Sequence, residues 1–399
     1  METENKGEST LKKIFRYICS AILACGIAAA PLCVRPNRAW AEPAPPEVSA
    51  PAAVLMDAGS GTLLYEKNAH EHRPCGSVTK LMSILLFMEA LDSGKMKITD
   101  EVTVSAFANS MGGSEIWLEV GEKMSVDDLL KAVIIQSAND ATVALAEQVA
   151  GSEEAFLAAM NRRAEELGMA DTHYLNTTGF DEDGQYTSAY DIALVAQELI
   201  RHPRVFDYSM IWMADLRGGK TQLANTNKLL KTYSGITGLK TGTTSKAGNC
   251  FCGTAERDGL RLISVVLGCP TSAERFGATK QLLDFGYANW RSLPIAATDE
   301  LLHPVPVRNG MQDTVVGAVV RDCDALLAPR GSGEAEYRLT LADDVEAPVE
   351  QGQKLGTVDV VLGGETLHTL PVVSTETVNK ITFKSAFLTL FHALICGRI

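Results

Sequence analysis

The sequence predicts an α/β protein: an antiparallel sheet packed with helices and interrupted by a helical subdomain, then a small all-β sandwich domain, then a C-terminal amphipathic helix. Three observations predict this order. Strand-like runs occur at 52–65 and again at 240–267, and helical patterns fill the stretch between them. After Pro294, short β-type runs separated by glycines replace the helical patterns. Together these patterns indicate an α/β sandwich with a helical insertion, followed by a second domain.

Residues 1–41 have the pattern of a secretory signal peptide. They contain a basic start, an apolar run and a small-x-small cleavage site, namely Lys12, Lys13 and Arg16, then Ile18–Val34, then Ala39–Trp40–Ala41. This pattern predicts export of the mature chain, to the outer face of the cytoplasmic membrane or the cell envelope. Residues 42–51 are rich in proline and alanine and predict a spacer.

The charge balance argues against nucleic acid as a partner. The chain has a formal net charge of −13, and its first 41 residues carry six basic and three acidic side chains. Without that segment the net charge is −16, and no basic patch is evident in the sequence. The remaining cysteines have no C-x-x-C spacing and are predicted to be mostly buried thiols: Cys75, Cys250, Cys252, Cys269, Cys323 and Cys396.

The stretch Pro74–Met82 predicts the start of a helix that carries two reactive side chains. Apolar residues follow at helical spacing, which predicts one buried face: Leu81, Ile84, Leu85, Met88 and Leu91. Ser77 and Lys80 are three residues apart in the first turn and therefore lie on one side of the helix. A lysine whose pKa is lowered by burial or by nearby cations can act as the base for a serine nucleophile. The alternative interpretation is a serine N-cap followed by a solvated lysine.

Two further stretches favour the catalytic interpretation. Ser137–Ala138–Asn139 follows a predicted helix, and Lys240–Thr241–Gly242 lies in a predicted strand. Ser-x-x-Lys, Ser-x-Asn and Lys-Thr-Gly in this order resemble the penicillin-recognising serine acyltransferases, which are the penicillin-binding proteins and the serine β-lactamases. The stretches 137–141 and 238–250 narrow the resemblance to the D-alanyl-D-alanine carboxypeptidases. The resemblance is close over about 55–290 and looser beyond.

The resemblance implies a role for each motif residue. Ser77 attacks the D-alanyl-D-alanine carbonyl, Lys80 takes its proton, and Ser137 relays a proton to the leaving amine. The implied substrate-binding residues are Asn139, Lys240, Thr241, Gly242 and Thr243. Among them, Lys240 and Thr241 bind the free carboxylate of the substrate. The backbone N–H groups of Thr243 and Ser77 together hold the oxyanion. The implied partners are peptidoglycan stem peptides as substrates and β-lactam antibiotics as covalent inhibitors, and no metal or cofactor is needed.

The other elements of the catalytic domain, expected over 52–292, follow from local patterns. The first two strands form a hairpin around Gly59–Ser60–Gly61, and Ser125 caps a helix that runs to Ile135. Further helices are predicted at 141–149, 153–167 and 271–290, and strands at 240–243, 250–255 and 262–267, with a tight turn at Asp258–Gly259.

Residues 168–185, called the rim loop below, resemble the loop that borders the cleft in this family. We interpret His173 and Asn176 within it as structural residues that pin the loop. His70 and His72 precede the reactive serine, but no further ligands stand at metal-binding spacing. We therefore interpret them as loop residues rather than metal ligands.

The C-terminal part predicts a sandwich and a helix. Four β-type runs predict a β-sandwich over 297–378, and it lacks a catalytic constellation, which suits spacing or partner contact: 314–320, 337–341, 355–362 and 366–373. Residues 380–399 predict an amphipathic helix with an apolar stripe of Phe383, Phe387, Leu390 and Leu394. This pattern suits a helix that lies on a membrane surface, and docking on the β domain is the alternative.

The motifs leave other functions open. A β-lactamase of the same fold is disfavoured because no Glu-x-x-Leu-Asn-like deacylation motif occurs between Asn139 and Lys240. The motifs do not separate carboxypeptidase from D,D-endopeptidase or transpeptidase activity. A catalytically idle wall-binding scaffold is a hypothesis of a different class, and the intact Ser77, Lys80 and Lys240 argue against it.

Overall fold

The computed structural model describes residues 44–295, 298–321 and 325–395. The predicted signal peptide therefore lies outside the described residues, as do Cys323 and Cys396. Residues 44–51 contain no helix or strand, yet Val48 and Ala50 are buried. Lys67 Nζ also donates to the carbonyl of Val48 at 2.9 Å. The end of the predicted spacer is thus packed on the folded body.

One antiparallel sheet forms the centre of the first domain. The strands of this domain, in chain order, are β1 (Ala52–Asp57), β2 (Leu63–Lys67), β3 (Glu101–Thr103), β4 (Lys123–Ser125), β5 (Met213–Leu216), β6 (Thr221–Ala224), β7 (Ile236–Thr244), β8 (Gly248–Arg257) and β9 (Leu260–Cys269). The sheet has the order β2–β1–β9–β8–β7, while β3–β4 and β5–β6 form separate two-stranded ribbons. The early hairpin and the late strands therefore share one sheet, and the predicted α/β core is confirmed.

The two faces of this sheet pack on different helices. Successive side chains of a strand point to opposite faces, so Val54 and Met56 join the helical core while Ala53 and Leu55 face the other way. On that second face lies the helix Ser272–Asn289, whose start is capped by Thr271 as predicted. The sheet is thus the middle layer between a helical subdomain and one long helix.

The helix that follows the reactive serine is the centre of the helical subdomain. It spans Lys80–Asp92, and nine of its thirteen residues are buried. The prediction of a single buried face was wrong, because helices cover this element on several sides and even Ser83 is buried, donating to the Thr177 carbonyl at 2.8 Å. Six further α-helices of the first domain lie among the described residues: Ala106–Asn109, Val126–Lys131, Asn139–Ala150, Glu153–Glu166, Ala189–Leu199 and Val205–Ser209. Two short 3₁₀-helices follow at Arg217–Gly219 and Lys228–Lys231.

Three local features differ from the sequence prediction. Ser125 caps a helix as predicted, but the α-helix ends at Lys131 and continues as a π-helix over Ala132–Gln136. The helix Ala189–Leu199 and the β5–β6 ribbon were not predicted at all. Both lie between the rim loop and the Lys-Thr-Gly strand.

The second domain consists of small sheets around its own core. Its strands are β10 (Trp290–Pro294), β11 (Val305–Arg308), β12 (Thr314–Val315), β13 (Gly317–Val319), β14 (Ala325–Pro329), β15 (Glu336–Leu341), β16 (Val345–Glu346), β17 (Lys354–Leu362) and β18 (Glu365–Ser374). They form sheets in the orders β13–β18–β17–β15 and β12–β11–β16, with β10 paired to β14. The β pairing of this domain thus begins at Trp290, earlier than the boundary expected at 297.

The last described element is the helix Phe383–Ile395. Phe383, Phe387 and Phe391 stack in one row along it and are 89%, 56% and 52% exposed. The row is therefore not buried against the β domain. Among the residues that the structure describes, no helix has the length and apolarity required to cross a membrane.

Candidate active site

The reactive serine and lysine are brought together by a change of helix type. Gly76–Thr79 is a 3₁₀-helix, and Lys80 is the first residue of the α-helix that follows it. The sequence predicted Ser77 in the first turn of the α-helix, but Ser77 lies in the 3₁₀ turn before that helix. Side chains three residues apart eclipse each other in a 3₁₀ turn. Lys80 Nζ accordingly lies 3.0 Å from Ser77 Oγ.

Lys80 is buried among uncharged partners. Its Nζ donates to Asn139 Oδ1 at 2.6 Å and to the Thr178 carbonyl at 2.7 Å. Burial, and next to it the positive charge of Lys240, hold the pKa of Lys80 well below its usual value. A neutral amine has two N–H groups and one lone pair. Donation to Asn139 and Thr178 therefore leaves the lone pair for the Ser77 hydroxyl.

Ser137 and Asn139 are presented by a sharp turn of the backbone. Ser137 has a left-handed φ of 68°, which ends the π-helix and directs the chain into the helix Asn139–Ala150. The Asn139 side chain donates to the Gly112 carbonyl at 2.7 Å, while its other end accepts from Lys80. Ser137 Oγ is buried and has no hydrogen-bond partner within the described part of the chain. A buried hydroxyl without a partner is available to a substrate or a transferred proton.

The Lys-Thr-Gly strand is β7, and it lies directly beside the 3₁₀-helix Gly76–Thr79, called the serine turn below. A Cβ on Gly242 would stand 2.2 Å from the Cys75 carbonyl and 3.0 Å from the Ser77 nitrogen, so only glycine allows this approach. Gly76, with a φ of 58°, approaches from the other side, and a Cβ there would be 3.0 Å from the Thr243 nitrogen. The backbone nitrogens of Ser77 and Thr243 thus belong to the same contact between strand and turn.

Lys240 and Thr241 are buried in the same strand. Lys240 Nζ donates to the carbonyl of Thr241 at 3.0 Å, and burial together with the charge of Arg275 lowers the pKa of Lys240 to about 7. The Thr241 hydroxyl donates to Thr226 Oγ1 at 2.7 Å. A cation beside a hydroxyl can bind a carboxylate.

Sequence reasoning missed several residues that support these groups. Thr178 supplies only its backbone carbonyl, which no sequence motif marks. Arg275 donates to the Gly242 carbonyl at 3.0 Å and to Thr243 Oγ1 at 2.9 Å from the opposite face of the sheet. The Asp140 carboxylate accepts from the backbone N–H groups of Ile116 and Leu118, at 3.1 and 3.0 Å, and so anchors the segment that contacts Asn139. Asp140 directly follows the motif residue Asn139, and this position was the one sequence signal that could have pointed to its role.

The rim-loop residues interpreted as structural have that role. Asn176 Oδ1 accepts from the N–H groups of Gly179 and Phe180 at 2.7 and 3.1 Å, which pins the loop. The backbone of His173 pairs with Tyr186. His70 and His72 both contact one carboxylate, Asp171, at 2.7 and 3.3 Å.

In the described part of the chain, Glu89, Glu198 and His202 have the spacing of metal ligands, with donor atoms within 4.8 Å of one another. Arg163 donates to both glutamates at 2.9 and 2.8 Å. Arg201 pairs with Glu198 as well, at 3.0 Å, so two guanidinium groups balance the two carboxylates and the cluster is explained as an ion-pair network. Elsewhere, Cys75, Cys250, Cys252 and Cys269 are buried free thiols, as predicted.

Comparison with protein families agrees with this geometry. Residues 39–271 match the D-alanyl-D-alanine carboxypeptidases of peptidase family S11. The chain belongs to this family. Residues 290–380 match the C-terminal domain of penicillin-binding protein 5, so the β domain is also a family feature. The family predicted from the three motifs is thereby confirmed.

Individual relatives extend over most of the chain. The chain is 38% identical over 339 residues to D-alanyl-D-alanine carboxypeptidase DacF of Bacillus subtilis (strain 168), covering 84% of this chain and 87% of that protein. Its structure is similar to penicillin-binding protein 5 from Haemophilus influenzae, with a TM-score of 0.74, 31% identity, and coverage of 85% of this chain and 100% of the other. It is also similar to penicillin-binding protein D2 from Listeria monocytogenes in the ampicillin-bound form, with a TM-score of 0.56 and 34% identity over 61% of this chain and 100% of the other. The predicted carboxypeptidase function and penicillin-binding fold are confirmed over the β-lactamase and scaffold alternatives.

Proposed function

We propose that this carboxypeptidase removes the terminal D-alanine from peptidoglycan stem peptides through an ester on Ser77. The observation that carries the proposal is the position of Lys80: its buried Nζ is 3.0 Å from Ser77 Oγ, and its other hydrogen bonds within the described residues go to two uncharged acceptors. A lysine in these surroundings is neutral at a lower pH than a solvated one, which is what a general base requires.

In the acylation step, Lys80 takes the proton of the Ser77 hydroxyl while Oγ attacks the carbonyl between the two D-alanines. The C–N bond breaks, the ester forms on Ser77, and the leaving amine receives a proton relayed through Ser137. The partnerless hydroxyl of Ser137 supports this relay. Water then hydrolyses the ester, which releases the shortened peptide and returns the proton to the serine.

The Lys-Thr-Gly strand binds the two negative charges of the reaction. Lys240 and Thr241 bind the C-terminal carboxylate of the substrate, and the N–H groups of Ser77 and Thr243 hold the oxyanion. Support comes from the close approach of Gly242 to the serine turn. Because the pKa of Lys240 is lowered to about 7, the free enzyme loses this cation as pH rises through that value, and capture of the carboxylate weakens.

β-Lactams should acylate the same serine, because they too present a carboxylate next to a reactive amide carbonyl. The ampicillin-bound form of the Listeria relative supports this extension. In the resulting ester the ring nitrogen stays attached to the inhibitor and cannot leave the site, so hydrolysis is slow.

The enzyme is proposed to act at the outer face of the cytoplasmic membrane. The pattern of residues 1–41 supports export, and the exposed row Phe383, Phe387 and Phe391 supports attachment of the terminal helix to the membrane surface. The strongly acidic mature chain has no net attraction to anionic lipid, so burial of these rings must supply the affinity.

Two measurements test the proposal. Purified protein should release free D-alanine from a defined stem pentapeptide, and mass spectrometry of penicillin-treated protein should find the adduct on the peptide that contains Ser77. Ser77→Ala should lose both signals, because the variant lacks the hydroxyl on which the proposed ester forms. An adduct on any other peptide would refute the assignment of the nucleophile. Products of cross-linked substrates would show in the same assay how far endopeptidase or transpeptidase activity contributes.

A further inference from the structure

We infer that Asp181 is a positioning residue for acylation: its carboxylate ties the rim loop to the end of the Lys-Thr-Gly strand and to the turn after it, and thereby holds the Thr178 carbonyl against Lys80. This inference rests on the proposed role of Lys80 as the base. It assigns a function to a part of the rim loop that no sequence motif marks.

Asp181 spans the gap between the rim loop and the β7–β8 turn. One carboxylate oxygen accepts from Thr244 Oγ1 at 2.6 Å, and the other accepts from the backbone N–H of Lys246 at 3.2 Å and from Ser245 Oγ at 3.4 Å. Thr244 Oγ1 in turn accepts from the N–H of Ala247 at 2.9 Å, which fixes the direction of its proton. One half-buried carboxylate thus binds the last residue of β7 and the next two residues, which belong to the turn.

The backbone between Asp181 and Thr178 has little freedom to absorb a movement. Gly179 is buried against the serine turn, and a Cβ on it would lie 2.0 Å from the Gly76 carbonyl. The N–H of Phe180 is held by Asn176. A displacement of the loop at Asp181 is therefore passed to Thr178, whose carbonyl accepts from Lys80 at 2.7 Å.

The consequence concerns the direction of a lone pair. A neutral Lys80 donates its two protons to Asn139 and Thr178, and these two bonds aim the remaining lone pair at Ser77. Without a fixed Thr178 carbonyl the amine can rotate about its last C–N bond, and its lone pair then no longer points at the Ser77 hydroxyl. Lys240 and Thr241 lie on the same strand as Thr244, but their side chains are held by the Thr241 carbonyl and by Thr226 and not by Asp181. Capture of the substrate carboxylate should therefore be unaffected.

The expected effect is on the rate constant of acylation and not on binding. A misplacement of about 1 Å among reacting groups costs on the order of 100-fold in rate. Asp181→Ala should therefore lower the acylation rate constant for a fluorescent penicillin by roughly 10- to 100-fold. The dissociation constant of the non-covalent complex, obtained from the concentration dependence of the same traces, should stay at the parental value.

A hydroxyl series and a matched control make the test specific. Thr244→Val removes the hydroxyl but keeps the shape and should reproduce the loss, whereas Thr244→Ser keeps the hydroxyl and should retain the parental rate constant. Once the tie is absent, Asp181→Ala combined with Thr244→Val should be no slower than either single variant. The control is Asp183→Ala, because this carboxylate is 96% exposed and its partner in the described part of the chain is the solvated Lys246 side chain, at 2.6 Å. It should acylate as the parent does.

Several outcomes would overturn the inference. A parental rate constant in Asp181→Ala, an effect confined to the dissociation constant, or a Thr244→Ser enzyme as slow as Thr244→Val would each do so. If Asp181→Ala does not fold, as judged by its thermal transition, the comparison of the two Thr244 variants decides the question. Ser77→Ala measured in parallel distinguishes failure of the proposed function from failure of this inference. Covalent labelling of Ser77→Ala would refute the proposed function. No labelling of Ser77→Ala, together with parental acylation by Asp181→Ala, would refute only the positioning role of Asp181.

Discussion

Replacing Gly242 by alanine should strongly lower the rate of acylation while lowering the stability of the fold only modestly. The new Cβ would lie 2.2 Å from the Cys75 carbonyl and 2.9 Å from the Val78 nitrogen, and both neighbours are backbone atoms that no side-chain rotation can move. Since real contacts of this kind stay beyond 3.0 Å, strand and turn must separate by at least about 0.8 Å. Overpacking of this size costs about 1–3 kcal/mol of unfolding free energy. A displacement of nearly 1 Å between the oxyanion donors and the nucleophile costs about 100-fold in rate.

The measurement pairs acylation kinetics with thermal unfolding. The second-order rate constant for a fluorescent penicillin should fall by about 100-fold in Gly242→Ala, while the protein still unfolds in one transition. Gly277→Ala is the matched control, because Gly277 lies on the exposed side of the helix Ser272–Asn289 with no atom within 4 Å of its Cβ. There alanine should leave acylation unchanged and stabilise the fold by about 0.5–1 kcal/mol. Parental acylation in Gly242→Ala would refute the claim that this close approach builds the oxyanion site.

Four other predictions follow from the described contacts. Lys240→Met removes a charge that helps to lower the pKa of Lys80, so the rise of the acylation rate with pH should move to higher pH. An unchanged pH profile would contradict this electrostatic effect of Lys240 on Lys80. In the parent, KM for a stem peptide should rise as pH passes about 7, because Lys240 loses its proton there; a KM independent of pH would show that this charge is not used. A chain that ends at Val378 should stop sedimenting with lipid vesicles yet keep its acylation rate, and continued sedimentation would exclude the terminal helix as the anchor. Cys75→Ala should keep most turnover, because burial raises the pKa of this thiol to about 12 and its hydrogen bonds among the described residues go to the Thr79 side chain and the Gly76 carbonyl; an inactive enzyme would question Ser77 as the nucleophile.

The motifs could be predicted because they depend on short spacings. Ser77 and Lys80 meet whether the turn between them is α-helical or 3₁₀, since residues three apart share a face in both. The capping residues Ser125 and Thr271 were found for the same reason, as each accepts from an N–H three residues ahead. The family resemblance then supplied the roles of Lys240 and its neighbours, which spacing alone does not contain.

Elements whose surroundings are made by distant parts of the chain were predicted less well. The helix Lys80–Asp92 has an apolar spacing that indicates one buried face, yet packing on several sides buries most of it. The helix Ala189–Leu199 was missed although its start is capped by Ser188. In both cases the burial is decided by which helices pack together, and a local pattern does not contain that information.

The sequence by itself determined the family, the α/β core with its β domain, and the identity of the reactive pair, because these depend on residue types at short or motif-specific spacings. Only the tertiary structure decided what surrounds that pair. The Thr178 carbonyl, the Arg275 guanidinium and the Asp181 carboxylate reach the site from segments roughly 100 residues or more from Lys80 or from the opposite face of the sheet. A backbone carbonyl is common to every residue, and an isolated arginine or aspartate has no spacing to mark it. Their contribution exists only once the rim loop, the central helix and the Lys-Thr-Gly strand have packed against one another.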